Sequence, residues 1–559
     1  MSESTGAKRR VRDASPWIEA VRRHLSEWVD GPRRGPLLEF ASIFLSRAPE
    51  AMLRGRDPAD LAALVAGAFG LLESARDGRV RAVAFNPDGT QEGWSAPVTV
   101  VRTCVTERPF IVDTIREFLH GQGVPIEYLV YPLVEVEWDE KGGVARVGSP
   151  GEGTKLSLVH CETERIEPEA LPGLVTELER HLQDVVRATD DFAPMLRAME
   201  AVVDELGRLA HARPELAEEL EEVRAFLRWL ADGGFVFLGY RAYAVVEHEG
   251  EPSAVVEAGS GLGILRNEAQ SSLAEPVPLS RLPAPMRALA EDAPLMIVTK
   301  SNALSTVHRR ARMDYIGIRR TDAEGRTTGE HRFLGLFTSK AYQEAAEHIP
   351  ILRRKLARVL EIARVRKGSH DYKAIITIFN SLPREELFVC SAEEIAEDVR
   401  AVLTSYGTDE VRVTLREDPL TSGLSVMVIM PRDRFSGDVR RAIEAALVQR
   451  LSGEVVNYHL ALGEGDQARL HFHLAVPDSS VAASLDPAEL ERIVGQLIRT
   501  WTDLVEEGLE RAAPELAAWR LARAYGLALG AEYQAATAPE VAVGDIRELE
   551  AMIEEGRDT

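Results

Sequence analysis

One helix, set between two kinds of strand, constrains this chain more than any other feature. Residues 97–105, PVTVVRTCV, are a β-branched run suited to a buried strand. ERP then turns the chain, and Pro109 fits the first turn of a helix, where a missing N–H is no loss. In FIVDTIREFLHGQG, Ile111, Ile115, Phe118 and Leu119 fall at i, i+4, i+7 and i+8, one apolar helical face. Gly121 and Gly123 end that helix. VPIEYLVYPLVEVEW reads as a strand in which Val134, Val136 and Trp138 alternate with Glu135 and Glu137, so one face is expected to meet water. EKGG is a turn, LSLVHCETE (156–164) another strand, and LPGLVTELERHLQDVV a second helix. Strand, helix, strand, strand, helix is the order of a split βαβ, ferredoxin-like domain.

Residues 387–478 return to that pattern. A helix at 393–405 leads to strands EVRVTLRE and SGLSVMVIM, then a helix at 436–451 and strands EVVNYHLAL and ARLHFHLAV. The repeat is one of architecture and not of readable sequence. Between the two lie helices with Glu/Arg-rich faces and a β-rich block, GFVFLGYRAYAVVE to the hairpin MDYIGIRRTDAEGRTTGEHRFLGLFTSKAY. The expected fold class is α+β multidomain, with two ferredoxin-like βαββαβ domains, a β-rich domain and connecting helical segments. The boundaries read as a partly helical leader at 1–36, a first ferredoxin-like domain with preceding helices at 37–165 and a helical linker at 166–230. The β-rich domain follows at 231–345, a helical segment at 346–386, the second ferredoxin-like domain at 387–478 and a helical segment at 479–559.

At 559 residues the chain exceeds what one hydrophobic core sustains. A formal charge of −23 argues against broad nucleic-acid or anionic-membrane binding, because phosphate contacts supply most of such affinity. Three widely spaced cysteines (Cys104, Cys161, Cys390) offer neither a disulfide framework nor a zinc site, and no metal is expected. No apolar run follows the basic N-terminus and none reaches 18 residues, so neither a secretory signal nor a spanning helix is expected, and the location expected is cytoplasmic.

Three motifs invite chemistry. GSGLGIL (259–265) looks like a dinucleotide loop, but that fingerprint needs a helix after it, and two prolines in LRNEAQSSLAEPVP leave no room for one. A glycine turn between strands is the stronger reading. HFH puts His471 and His473 on one side of a strand, yet no third ligand can be nominated, which favours a partly exposed structural pair. Residues 300–367 hold 16 Lys and Arg against 7 Asp and Glu, with aromatics interleaved as in strands that stack bases. The arginines of IPILRRKLARVLEIARV nonetheless lie opposite the apolar stripe Leu352, Leu356, Val359, Leu360 and Ala363, as on a solvated or interdomain face. No HExxH, GxSxG, phosphate-loop or kinase signature is present. On spacing alone the chain is a multidomain sensing or interaction protein without an assignable catalytic residue.

Longer strings carry a resemblance. FLRWLADGGFVFLGYRAY, GSGLGILR, MIVTKSNALSTVHRRARMDYIGIRR, GEHRFLGLFTSKAY, IPILRRKL and GSHDYKAIITIFNSLPREELF occur in the order found in the N-terminal region of the large bacterial NAD-dependent glutamate dehydrogenases. RPFIVDTIREFLHGQGVPIEYLVYP resembles an earlier part of the same region, so that the match runs over about residues 37–550. The resemblance implies that the ferredoxin-like domains are similar to ACT domains, which sense amino acids, and that the β-rich block is PAS-like. The family reaction converts L-glutamate, NAD and water to 2-oxoglutarate, ammonium and NADH. Nothing here matches the substrate lysines or the doubly wound NAD domain, so NAD is expected on the family's catalytic domain and not on this chain. The expected role is a regulatory or assembly portion, ending before that domain, inactive alone, homo-oligomeric or joined to the dehydrogenase region. A stand-alone ligand-binding or scaffold protein is the alternative. An ACT-like domain is expected to hold an amino acid near a strand–helix loop, where a helix N-terminus suits a carboxylate. In the first domain that loop offers Thr106, Glu107, Arg108, Phe110 and Asp113, with Arg108 able to pair with an acid. The basic hairpin is expected to turn Ile316, Ile318, Leu334 and Leu336 inward, with Arg319, Arg320, Arg332 and Lys340 exposed or against an acidic neighbour.

Overall fold

Ile111, Ile115, Phe118 and Leu119 are all buried, and the helix that carries them, Ile111–Gly121, lies on a sheet built from the strands around it. The computed structural model describes residues 3–148, 153–282, 294–322, 324–418, 423–462, 466–476, 485–511 and 515–556. By compactness the chain divides into two units, one running to Tyr342 and the other from Gln343.

The first unit begins with helices Glu3–Trp28, Arg34–Arg47 and Pro58–Ser74. The six-stranded antiparallel sheet that follows comprises β1 (Arg81–Phe85), β2 (Val98–Thr106), β3 (Ile126–Val130), β4 (Leu133–Trp138), β5 (Val144–Gly148) and β6 (Thr154–Glu164), in the order β1-β2-β6-β4-β5 with β3 also on β6. β3 and β4 are one strand broken at Tyr131–Pro132, since proline has no N–H for the ladder. The edge position beside β2 is filled by β1, which precedes β2 in the chain, and not by a strand after the second helix, Leu171–Asp190.

Both faces of this sheet are covered. Phe40, Phe44 and Phe69 of the N-terminal helices share a core with Val100, Cys104 and Leu158. Ile115, Leu178 and Leu182 share another with Val101 and Val159, and that core also takes in Leu334 and Leu336 of the next sheet. The helices 111–121 and 171–190 therefore sit between two sheets. Pro58–Asp77, the one segment among the described residues long and apolar enough to cross a bilayer, is part of the first core through Leu61, Val65 and Phe69. Glu135 departs from the alternation in the sequence, while Glu137 on the same face is exposed. Glu135 is buried, and its carboxylate accepts the Gly153 N–H just before β6.

The second sheet holds β7 (Phe235–His248), β8 (Glu251–Val256), β9 (Leu262–Gly263), β10 (Val277–Pro278), β11 (Met296–Leu304), β12 (Arg312–Thr321) and β13 (Thr327–Phe337), in the order β10-β8-β7-β13-β12-β11 with β9 on β7. In the β12–β13 hairpin Ile316 lies opposite Phe333 and Tyr315 opposite Leu334. Ile316 and Ile318 thus point to one face and Leu334 and Leu336 to the other, and all four are buried. Arg332 is not exposed as expected from its charge. Its guanidinium lies 4.1 Å from the Tyr243 ring centroid and 5.1 Å from that of Tyr315, with Glu330 alongside. Arg320 pairs with Glu257 and Lys340 with Asp232, so these cations are held within the chain.

The second unit repeats the first domain's topology. Helices Leu352–Ala363, His370–Ser381, Arg384–Val389 and Ala392–Thr404 precede β14 (Arg412–Asp418), β15 (Gly423–Pro431), helix Gly437–Leu451, β16 (Glu454–Leu462), β17 (Gln467–Ala475) and helix Pro487–Leu497. The sheet order β14-β15-β17-β16 is antiparallel throughout, and the edge place beside β15 again goes to a strand from upstream. Val426, Val428, Leu470 and Phe472 pack on the helices 437–451 and 487–497 through Ile443, Leu447 and Leu490. A helical group closes the described chain, its core formed by Val505, Leu509, Ala518, Ala522, Ala542 and Ile546.

Candidate functional site

The loop from β2 to the helix 111–121 gathers the five residues nominated from sequence. β2 is buried along nearly its whole length, and Glu107 N donates to Lys155 O at 2.9 Å, which fixes the loop to β6. Phe110 precedes the helix with φ of 75°, a left-handed backbone rare outside glycine. Its carbonyl accepts from Thr114 N at 2.9 Å, but its side chain caps nothing. This helix start is therefore without the side-chain oxygen that commonly satisfies first-turn N–H groups.

The charged residues of the loop already have partners. Arg108 Nη1 donates to Asp190 Oδ1 at 2.8 Å, to Thr189 Oγ1 at 3.1 Å and to Val186 O at 3.4 Å, while its Nε donates to Thr106 O at 3.1 Å. A cation at the C-terminal end of the helix 171–190 is favoured by the helix dipole as well as by Asp190. Both Glu107 oxygens accept from Tyr131 Oη at 3.0 Å. Burial, aided by Glu107, raises the tyrosine pKa. Asp113 meets His308 Nδ1 at 3.1 Å, and the His308 ring lies 5.0 Å from that of Phe110. The segment 305–311 of the second sheet thus crosses the helix start; His308 N also donates to Thr114 Oγ1 at 2.9 Å. Thr106, Glu107, Arg108, Phe110 and Asp113 are brought together, with Arg108 turned onto Asp190.

The matching loop of the second domain is built alike but closed. Ser436 caps the helix 437–451 by accepting from Val439 N at 3.2 Å. Arg434 ties the loop to Asp503 of the helix 501–510, as Arg108 ties its loop to Asp190. Both arginines stand three residues before the first residue of their helix, but their partners Asp190 and Asp503 lie 82 and 69 residues away, so the parallel shows only in the fold.

Two buried polar clusters were also not nominated. Under the N-terminal helices, Arg102 Nε donates to His160 Nδ1 at 3.0 Å and Arg102 Nη2 to Leu64 O at 2.9 Å. An arginine only donates, so His160 Nδ1 is the acceptor and its Nε2 carries the proton toward Glu162, 3.3 Å away. Arg56 closes the set on both Glu162 oxygens, at 2.7 and 2.5 Å. Burial brings His160 down to about 4 and Arg102 down to about 10. Burial pushes Glu162 up, but hydrogen bonds from His160 and Arg56 outweigh it and leave the carboxyl at about 2. On the equivalent face of the second sheet, Glu386 accepts from Arg416 and, at 2.6 Å, from Ser425 Oγ. Asp398 accepts from Arg416 at 2.9 Å and Thr414 at 2.8 Å.

The other motifs resolve as structure. In GSGLGIL, Glu268 accepts the N–H groups of Gly259 and Gly261 at 3.1 and 2.7 Å, and Asp191 accepts that of Gly263 at 2.7 Å. The chain's own carboxylates occupy this loop, and a single 3₁₀ turn, Glu268–Gln270, follows it. His471 is buried rather than partly exposed, its ring 6.2 Å from that of His459. Among the described residues no three His, Cys, Asp or Glu side chains form a metal-holding group.

Family models match in the same order as these elements. Residues 40–178 match the ACT1 domain of glutamate dehydrogenase, 349–407 its helical motif 1, 412–502 its ACT2 domain and 509–552 its helical motif 2. The chain is 28% identical over 545 residues to the NAD-specific glutamate dehydrogenase of Halomonas elongata, covering 95% of this chain and 33% of the relative. It is 30% identical over 524 residues to that of Pseudomonas aeruginosa, covering 92% and 32%. With that of Mycobacterium tuberculosis it shares 27% over 452 residues, covering 78% and 26%. The chain spans about a third or less of the length of these curated relatives. Both ferredoxin-like domains are ACT domains of this lineage, and the chain belongs to the large NAD-dependent glutamate dehydrogenase family, within its N-terminal region.

Proposed function

We propose that this chain is a regulatory and assembly portion of an NAD-dependent glutamate dehydrogenase, and that its first ACT domain senses an amino acid at the loop Thr106–Asp113. The observation that carries the reading is the Arg108 clamp on Asp190 beside a helix start that no side chain caps. An effector carboxylate competes with Asp190 for Arg108 and takes the first-turn N–H groups. Release of Asp190 frees the end of the helix 171–190, which packs against Leu334 and Leu336 of the second sheet. A coupling of about 1–3 kcal/mol is enough for regulation. The β7–β13 sheet is read as the PAS-like module of the same apparatus, with NAD and hydride transfer on a dehydrogenase region in the cytoplasm, joined by covalent continuation or self-association.

Calorimetry on the 559-residue protein with a panel of amino acids tests the sensing role. Heat that is saturable and reduced in Arg108→Gln is the expected result; no heat with any member sinks it. NAD reduction by this chain alone in the presence of glutamate overturns the division of labour.

A further inference from the structure

Helices 352–363, 370–381 and 392–404 of the second unit leave an open groove of about 410 Å³ between them. Its floor is apolar: Val359, Ile375 and Val399 are buried there and Leu403 lines the wall. Its rim is charged with both signs. Arg400 is exposed and has no ion-pair partner among the described residues. Asp371, also on the rim, has His370 Nδ1 at 3.7 Å as its one ion-pair neighbour among the described residues. The two rim charges share one groove without meeting each other.

We propose that this groove binds a small apolar α-amino acid, with its side chain on the Val359–Ile375–Val399 floor, its carboxylate at Arg400 and its ammonium group at Asp371. The volume lies in the range of small-molecule sites, and a few placed charges over an apolar floor are their usual composition. A fatty acid would leave Asp371 unmatched and an alkylamine would leave Arg400 unmatched; a zwitterion satisfies both. The site is separate from the Thr106–Asp113 loop and stands whether or not that loop binds anything. Its occupancy has a physical route to the second ACT sheet. The helix 392–404 shows Arg400 to the groove and, two residues earlier, holds Arg416 and Thr414 through Asp398.

Titration calorimetry and thermal shift on the 559-residue protein with leucine, isoleucine, valine, methionine and phenylalanine test this. The controls are 4-methylpentanoate and 3-methylbutylamine, each lacking one charge. At least one amino acid is expected to bind saturably, with both controls weaker. Arg400→Gln and Asp371→Asn, both surface changes, should each weaken binding by roughly three- to fivefold, the size expected of an exposed charge pair. Ala363→Trp, at an exposed lining position, should fill the groove and weaken binding at least as much. The proposal is overturned if no apolar amino acid binds at millimolar concentration. Binding that survives Ala363→Trp and both charge variants also overturns it.

Discussion

The two ACT domains share a topology and bury polar groups on the same sheet face, under the helices that precede each. They differ in how completely those groups are paired. In the first domain Arg56, Glu162, His160 and Arg102 form one continuous chain of hydrogen bonds ending on Leu64 O. In the second, Arg416, Ser425 and Thr414 are held by Glu386 and Asp398, but on the neighbouring row of β17 the buried atoms Gln467 Oε1, Arg469 Nε and Nη1 and His471 Nε2 have no hydrogen-bond partner among the described residues. A paired buried network fixes a unique packing, whereas orphaned donors carry the desolvation penalty with nothing to offset it.

Four measurements break or sharpen this contrast. The largest effect belongs to Glu162→Ala, which strands Arg56 and removes the partner of His160. It should destabilise the first domain by about 3–5 kcal/mol in urea denaturation. A loss under about 1 kcal/mol would mean that the network contributes little. Acid should act next. His160 is neutral when folded, so its contribution is complete above pH 6.5 and lost as pH falls from 6.5 toward about 4, roughly 3 kcal/mol at about 1.4 kcal/mol per pH unit. Glu162 adds a second loss as pH falls from 4.5 toward about 2. A stability profile flat between pH 6.5 and 4 in wild type, or unchanged in His160→Asn, counts against this assignment.

A smaller effect of opposite sign is expected at Arg469→Met, which removes unpaired donors while keeping an unbranched stem. It should stabilise the second domain by about 1–2 kcal/mol. Arg102→Met in the first domain should instead destabilise, because it leaves His160 Nδ1 and Leu64 O unsatisfied. Equal losses from the two changes would erase the contrast. Last comes Arg108→Lys, which keeps the charge but not the fork reaching Asp190, Thr189 and Thr106. It should cost about 0.5–1 kcal/mol, read as a small drop in thermal midpoint.

Long periodic segments were legible in the sequence. The helix 111–121, the strand runs of both domains and the buried face of the helix 352–363 follow from spacing, because one apolar face has only one place to go. Short edge strands were not: β1 and β5 are five residues each, of mixed polarity, and owe their structure to β2 and β4 beside them. Glu135 and Arg332 look like surface residues in the sequence, yet Glu135 is buried with the Gly153 N–H on its carboxylate and Arg332 is half-buried between two tyrosines. Of the candidate loop, the five residues and the helix start were readable; Asp190, Tyr131 and His308, which hold it, come from elsewhere in the chain.

The sequence by itself determined the long elements, their order and the family, since periodicity is local and long motifs in one order leave little room for another lineage. Only the tertiary structure decided which charges are satisfied. Arg102 and His160 are 58 residues apart and Arg56 and Glu162 are 106 apart, so no local pattern announces either pair. Whether a buried arginine stabilises a domain or strains it depends on what the fold brings within 3 Å of it, and a linear chain does not encode that distance in any readable spacing.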